Sequence, residues 1–262
     1  MLAALRPLAV PALAAFLLAQ DPQPTPAPAG EPPAAEAEKP AAAPPVEQWD
    51  DRRAKDAVRT LTKVFKAKTS SMRDRSLALD ELATAANKAF VKPLADIVAN
   101  DKSVVIRRRA AELLGRQPAK EGNRAIVNLL DDGDVQAEPN VAADLVKSLS
   151  KCGYTAKNWE TVGELFESEY AIERVPLQEA ILELVIAHKE KQAIPVLLRN
   201  IDEPVPSDVH GQNNPPAAYW EARWKSWNSW RLQVKEALFA ITGQRFSSAK
   251  EAKIWLDKNK LE

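Results

Sequence analysis

The residues best suited to chemistry gather late in the chain. Trp220, Trp224, Trp227 and Trp230 fall, at about 100° per residue, within roughly one third of a helix's circumference. A row of ring faces suits carbohydrate, peptide or another ring-bearing ligand, and Arg223 and Arg231, on the same arc, could stack on the rings. Just before them the stretch DEPVPSDVHGQNNPP, residues 202–216, carries Glu203, Asp208 and His210, whose oxygens and imidazole are cation ligands by type. A carboxylate beside aromatic rings also serves sugar hydrolysis, which makes Glu203 and Asp208 the candidates if the chain has a catalytic acid.

Each feature has a plainer reading. Val234, Leu238 and Ile241 continue the tryptophan stripe and belong to an interior. Four exposed indoles would present roughly 600 to 1,000 Å², beyond the largest patch of about 300 to 600 Å² usual on a soluble monomer. Core packing is therefore expected for most of the stripe, and any open ring should lie at its start, at Tyr219, Trp220 or Trp224. The 202–216 stretch, with four prolines and one glycine, reads as a loop over the end of the helices or as a partner-contacting segment. The other histidine, His188, stands at a helix end, where a cation favours the terminal carbonyls. The sequence has no HExxH, GxSxG, Walker-type glycine loop or CxxC. The expectation is a non-enzyme without metal or cofactor.

What positions these residues is a repeat. Apolar triplets at i, i+3 and i+4 occur at Leu61, Val64, Phe65; Leu94, Ile97, Val98; Ile126, Leu129, Leu130; Val162, Leu165, Phe166; and Ile194, Leu197, Leu198. They start 33, 32, 36 and 32 residues apart, and each marks a first helix. Second stripes follow after 16 to 19 residues at Leu79, Leu82, Ala83; Ala110, Leu113, Leu114; Ala142, Leu145, Val146; and Ile181, Leu184, Val185. A lone helical hairpin cannot hide its stripe, so stacked neighbours sharing one interior are the stable arrangement. Turn residues agree: Asp101 and Ser103 are expected to cap the helix from Val104, Gly115 to close it in a left-handed conformation, and Ser248 to Glu251 to open a last capping helix over 248–259.

The segment DKSVVIRRRAAELLG, Asp101 to Gly115, resembles the second helix of a HEAT repeat, with its acidic turn residue, Val-Arg pair and Ala-Leu-Leu stripe. The likeness covers roughly Asp50 to Gly243, but only this repeat matches closely; the others keep the period and lose the arginine. The resemblance implies an all-α fold, an α-α superhelix or HEAT-like solenoid of about five helical hairpins, offering a concave surface to a partner. It implies no chemistry.

The N-terminal part is of another kind. Residues 1–19 hold one cation, Arg6, then an apolar run from Leu8 to Leu18 ending in small residues, the layout of a secretory signal. The run is too short to span a bilayer, which takes about 20 apolar residues. Residues 20–46 are rich in proline and alanine and read as a disordered, extended tether. The folded part is expected over 47–262. The protein is thus expected to be exported, to a periplasmic, cell-surface or secreted location, with no stable membrane insertion after signal cleavage. The only cysteine, Cys152, has no partner for an internal disulfide and is expected as a buried thiol.

Formal charge sums to zero, but its distribution is uneven. Lys102 to Arg124 hold seven basic and two acidic residues, Asp131 to Glu173 ten acidic and three basic. Solvated faces are the plain account, with Arg107, Arg108 and Arg109 partly used on Asp101 or on a neighbouring repeat. The sharper one is a two-signed surface that orients a charged partner. Export and the acidic middle argue against nucleic acid. The expected partner is a protein or peptide, met by Arg107, Arg108, His210, Trp220, Arg223 and Trp224; the alternative is a carbohydrate-binding or carbohydrate-active protein using the 202–216 loop with Trp220 and Trp224.

Overall fold

The computed structural model describes residues 45–206 and 214–259. The proposed signal at 1–19, nearly all of the 20–46 tether, and Asp208 and His210 lie outside the described residues. What is described is mostly α-helical: α1 (Asp51–Lys66), α2 (Met72–Asp80), α3 (Lys88–Asn100), α4 (Val104–Leu114), α5 (Ala119–Leu130), the single turn α6 (Gly133–Gln136), α7 (Pro139–Lys151), α8 (Trp159–Glu167), α9 (Val175–His188), α10 (Ile194–Asn200), α11 (Ala217–Thr242) and α12 (Ala249–Lys258). Short 3-10 turns at Ala156–Asn158, Ile172–Arg174 and Lys191–Ala193 lead into α8, α9 and α10.

Local chemistry sets many of these boundaries. Asp50 accepts the N–H groups of Arg52 and Arg53 and starts α1. Ser71 and Asp74 form a reciprocal capping box on α2. Pro139, Pro176 and Pro195 occupy the first turns of α7, α9 and α10, where a missing N–H costs nothing. Ser248 accepts the Glu251 N–H while the Glu251 carboxylate takes the N–H of Ser247, fastening the start of α12.

The five first-helix triplets lie in α1, α3, α5, α8 and α10, and the second stripes from Ala110, Ala142 and Ile181 lie in α4, α7 and α9. The stripe from Leu79 is corrected: α2 ends at Asp80, so Leu82 and Ala83 sit in the turn after it, although Leu82 is fully buried. Helices pack in two series. In one, α1 lies on α3, α3 on α5 and α5 on α8; in the other, α2, α4, α7, α9 and α11 pack on one another in chain order. Within pairs, α1 meets α2, α3 meets α4, α5 meets α7, α8 meets α9 and α10 meets α11. Leu61, Phe90, Leu94, Leu113, Leu130 and Phe166 are among the buried side chains of the common interior.

Along one edge the links between hairpins are sewn together by polar side chains. The Gln117 amide donates to the Ala85 carbonyl and accepts the Asn87 N–H, Asn123 donates to the Gly153 carbonyl, and Gln192 donates to the Ala156 carbonyl. The Tyr154 hydroxyl donates to buried Glu190 at 2.8 Å. Gln117 and Asn87 are 5% and 3% exposed, so the bonds of these two satisfy groups that water does not reach. At the near end β1 (Glu47–Gln48) pairs in parallel with β2 (Ala85–Ala86), a two-residue ladder that the all-helical reading does not contain. So short a pairing leaves no period-2 pattern to read.

Two turn expectations and part of one ion-pair expectation are corrected. Gly115 has φ −65°, not a left-handed value; it is small because a β-carbon there would lie 2.8 Å from that of Ser148, where α4 and α7 close on each other. Ser103 makes no capping bond to α4. Asp101 is engaged by Arg75, at 2.6 Å, and by none of Arg107 to Arg109; Arg108 and Arg109 instead meet Asp144 and Asp80 on neighbouring helices, the other course expected of them.

Candidate functional site

Two places gather functional groups. The first is the start of α11 beside the end of α8. The order in which the tryptophans leave solvent follows their angle on α11. Trp230 is fully buried, donates to Gln178 at 2.9 Å and lies 5.2 Å from Phe166 between ring centres. Trp227 is 8% exposed and donates to the Asn200 carbonyl. Trp224, toward the loop, is 43% exposed, and its indole N–H donates to the Glu203 carboxylate at 2.7 Å. Trp220 is half-buried; it donates to Asn214 and meets Tyr219 edge to face. Tyr219 in turn meets Tyr170, and the Arg223 guanidinium lies 5.1 Å from the Tyr170 ring centre and 5.7 Å from that of Trp220. Burial pushes the Tyr170 phenol up to about 12, against the opposing charge of Arg223. The indole N–H of Trp224 is thus directed at a carboxylate, with much of the side chain left to solvent.

The second place lies across α4, α7 and α9. A groove of about 400 Å³ between α4 and α7 is lined by Val105, Arg108, Arg109, Glu112, Asp144, Lys147, Ser148 and Lys151. A smaller one, of about 240 Å³, adjoins it between α7 and α9 and shares Lys147 and Lys151. The i, i+3, i+4 spacing of Val105, Arg108 and Arg109, and the i, i+3, i+7 spacing of Asp144, Lys147 and Lys151, bring each set to one helix face. Charges pair across the helices: Arg109 with Asp80, Arg108 with Asp144 at 2.7 Å, and Lys147 with Glu183 at 3.8 Å. Burial disfavours the charged form of Glu112, but hydrogen bonds and charge from Arg109 and Arg116 prevail and hold its carboxyl below the usual range. At the far end, the Ser150 hydroxyl and His188 Nε2 are 2.9 Å apart, with the imidazole 4.7 Å from the Tyr154 ring centre.

No family model, curated protein or solved structure matches this chain.

Geometry alone therefore ranks the candidate residues. Arg107 is 8% exposed and points inward, donating to the Val98 carbonyl at 2.6 Å and to that of Asp134, so it clamps α3 to α6 instead of facing a partner. Arg108 lies on the surface groove. Trp220 and Arg223 share the aromatic cluster, Trp224 stands at its open margin, and His210 lies outside the described residues. Among the described residues, no three His, Cys, Asp or Glu side chains converge as a metal site, and no helix is long and apolar enough to cross a membrane. Sequence reasoning passed over Lys147 and Lys151, whose signal was their spacing of four on α7, and Tyr170, which shows no pattern until the segment after α8 meets α11.

Proposed function

We propose that this domain is a HEAT-like solenoid that acts, exported, as a non-catalytic scaffold, binding a protein or peptide on the face made by α2, α4, α7, α9 and α11 together with the 202–216 loop. Chain-order packing of two helix series supports the solenoid, since each added hairpin then buries its stripe against the last. The observation that carries the binding reading is the pair of adjoining grooves over α4, α7 and α9, with Arg108, Lys147 and Lys151 presented side by side. Its test is selection from an unbiased displayed peptide library, repeated on a Val105→Glu, Lys147→Glu variant. Peptides that bind the parent and are lost on the variant support the reading, while an absence of binders, or binders indifferent to the change, removes it.

One observation favours a second reading, a carbohydrate site. Trp224 is exposed and hydrogen-bonded to Glu203, an arrangement in which a sugar ring can stack while a carboxylate accepts its hydroxyls. A glycan-array signal that disappears in Trp224→Ala while the variant remains folded would support it; no signal from the parent would end it.

A further inference from the structure

We infer that the α4–α7–α9 face takes an extended acidic peptide whose carboxylates stand at alternate residues, two of them seated on Lys147 and Lys151. The inference rests on the peptide-binding reading above and adds the chemistry of the partner.

The charges do not cancel locally. The α4–α7 groove is lined by four cations, Arg108, Arg109, Lys147 and Lys151, against two carboxylates, Glu112 and Asp144. Arg109 is committed on both sides, to Asp80 and Glu112. Arg108 gives only its Nε to Asp144, so among the described residues both terminal amino groups of its fork are left without a hydrogen bond. Lys147 has Glu183 only at 3.8 Å, and Lys151 has no carboxylate within 4.0 Å among the described residues. The unmet donors thus lie together on α7 and the α4 edge facing it.

An extended backbone fits the spacing. Lys147 and Lys151 are one turn apart, about 6 Å along the α7 axis. Alternate side chains of an extended strand point the same way at about 6.6 Å, so a peptide running along α7 presents carboxylates at the period of the lysines. Its next acidic group reaches the free edge of the Arg108 fork, level with Asp144, and Val105, 64% exposed, offers an apolar contact beyond. The margins argue against a uniform polyanion. Asp80, Glu112, Asp144 and Glu183 border the same cations, and a nucleic acid or sulfated glycan would press charge against them, whereas a peptide can place neutral residues there.

The test is fluorescence anisotropy with a labelled octapeptide alternating glutamate and valine, titrated with the full chain. Saturable binding is expected, weakened by salt, absent for the glutamine–valine peptide, and reduced tenfold or more in Lys147→Gln, Lys151→Gln. Lys151→Arg should retain it, and Lys63→Gln on α1 should leave it unchanged. Equal binding of the glutamine peptide, indifference to the double substitution, or preferential loss of an oligonucleotide or heparin fragment with the same substitution overturns the inference. Failure here is distinct from failure of the scaffold reading: neutral library peptides that need Val105 would sink the acidic partner alone, and a library yielding no binder to this face would sink both.

Discussion

Replacing Trp230 by phenylalanine removes one hydrogen-bond donor from a sealed environment. The indole N–H donates to Gln178, and both residues are 0% exposed, so no water can take its place. Gln178 holds its other end on the Phe166 carbonyl at 3.0 Å and cannot turn away without abandoning that bond. A buried acceptor left without a donor costs about 1 to 3 kcal/mol. For a domain of this size that lowers the unfolding midpoint by roughly 2 to 12 °C. Trp230→Ala also leaves a cavity against Phe166 and should cost about 3 to 5 kcal/mol. Trp224→Ala, at an exposed ring, should cost well under half as much. Urea unfolding followed by far-ultraviolet circular dichroism measures all three. Pairing Trp230→Phe with Gln178→Met closes a double-mutant cycle, with an expected coupling of about 0.5 to 3 kcal/mol. A Trp230→Phe variant as stable as the parent, or a cycle with no coupling, would refute the placement of the tryptophan stripe as interior at this end.

Gly122→Ala puts a β-carbon against the Cys152 sulfur and 3.2 Å from the Leu114 carbonyl oxygen, so it should destabilise by about 1 to 3 kcal/mol, and Cys152→Ala in the same chain should restore part of that loss in urea melts. Burial pushes the Cys152 thiol pKa up, outweighing a backbone hydrogen bond from Asn123; native protein should therefore react with a disulfide reagent slower by an order of magnitude or more than the unfolded chain. Glu112 has its folded pKa below the unfolded 4.5, so its contribution is complete above pH 4.5 and is lost as pH falls through the lowered folded value. Glu112→Gln should accordingly be less stable than the parent at pH 7, by no more than about 1 kcal/mol for a partly exposed group, and the difference should shrink as pH falls below 4.5.

The helices were legible because burial is periodic: the residues of the triplet Leu94, Ile97, Val98 are each 7% exposed or less. The start of the tryptophan stripe was legible for the same reason, since angle on α11 decides which ring is covered. What escaped depends on a second chain segment. Arg107 reads as surface charge in RRR, yet the carbonyls of Val98 and Asp134 draw it inward, and neither is visible from the local sequence. Gly115 reads as a helix terminator but is required by Ser148, 33 residues on. The cationic grooves appear only when α4, α7 and α9 lie side by side.

The polar stitching along the inter-hairpin links sets a limit on dividing this protein. Removing β1 and α1 to β2 would take away the Ala85 carbonyl and leave the Gln117 amide facing the newly opened end, and a cut before Gly153 would do the same to Asn123. The freed amides hydrate, but the first cut also bares Phe90, fully buried and packed on Trp49 in the whole domain. Severed fragments should therefore be less soluble than their composition suggests, and a shortened version that behaves well will need a polar residue at such a position.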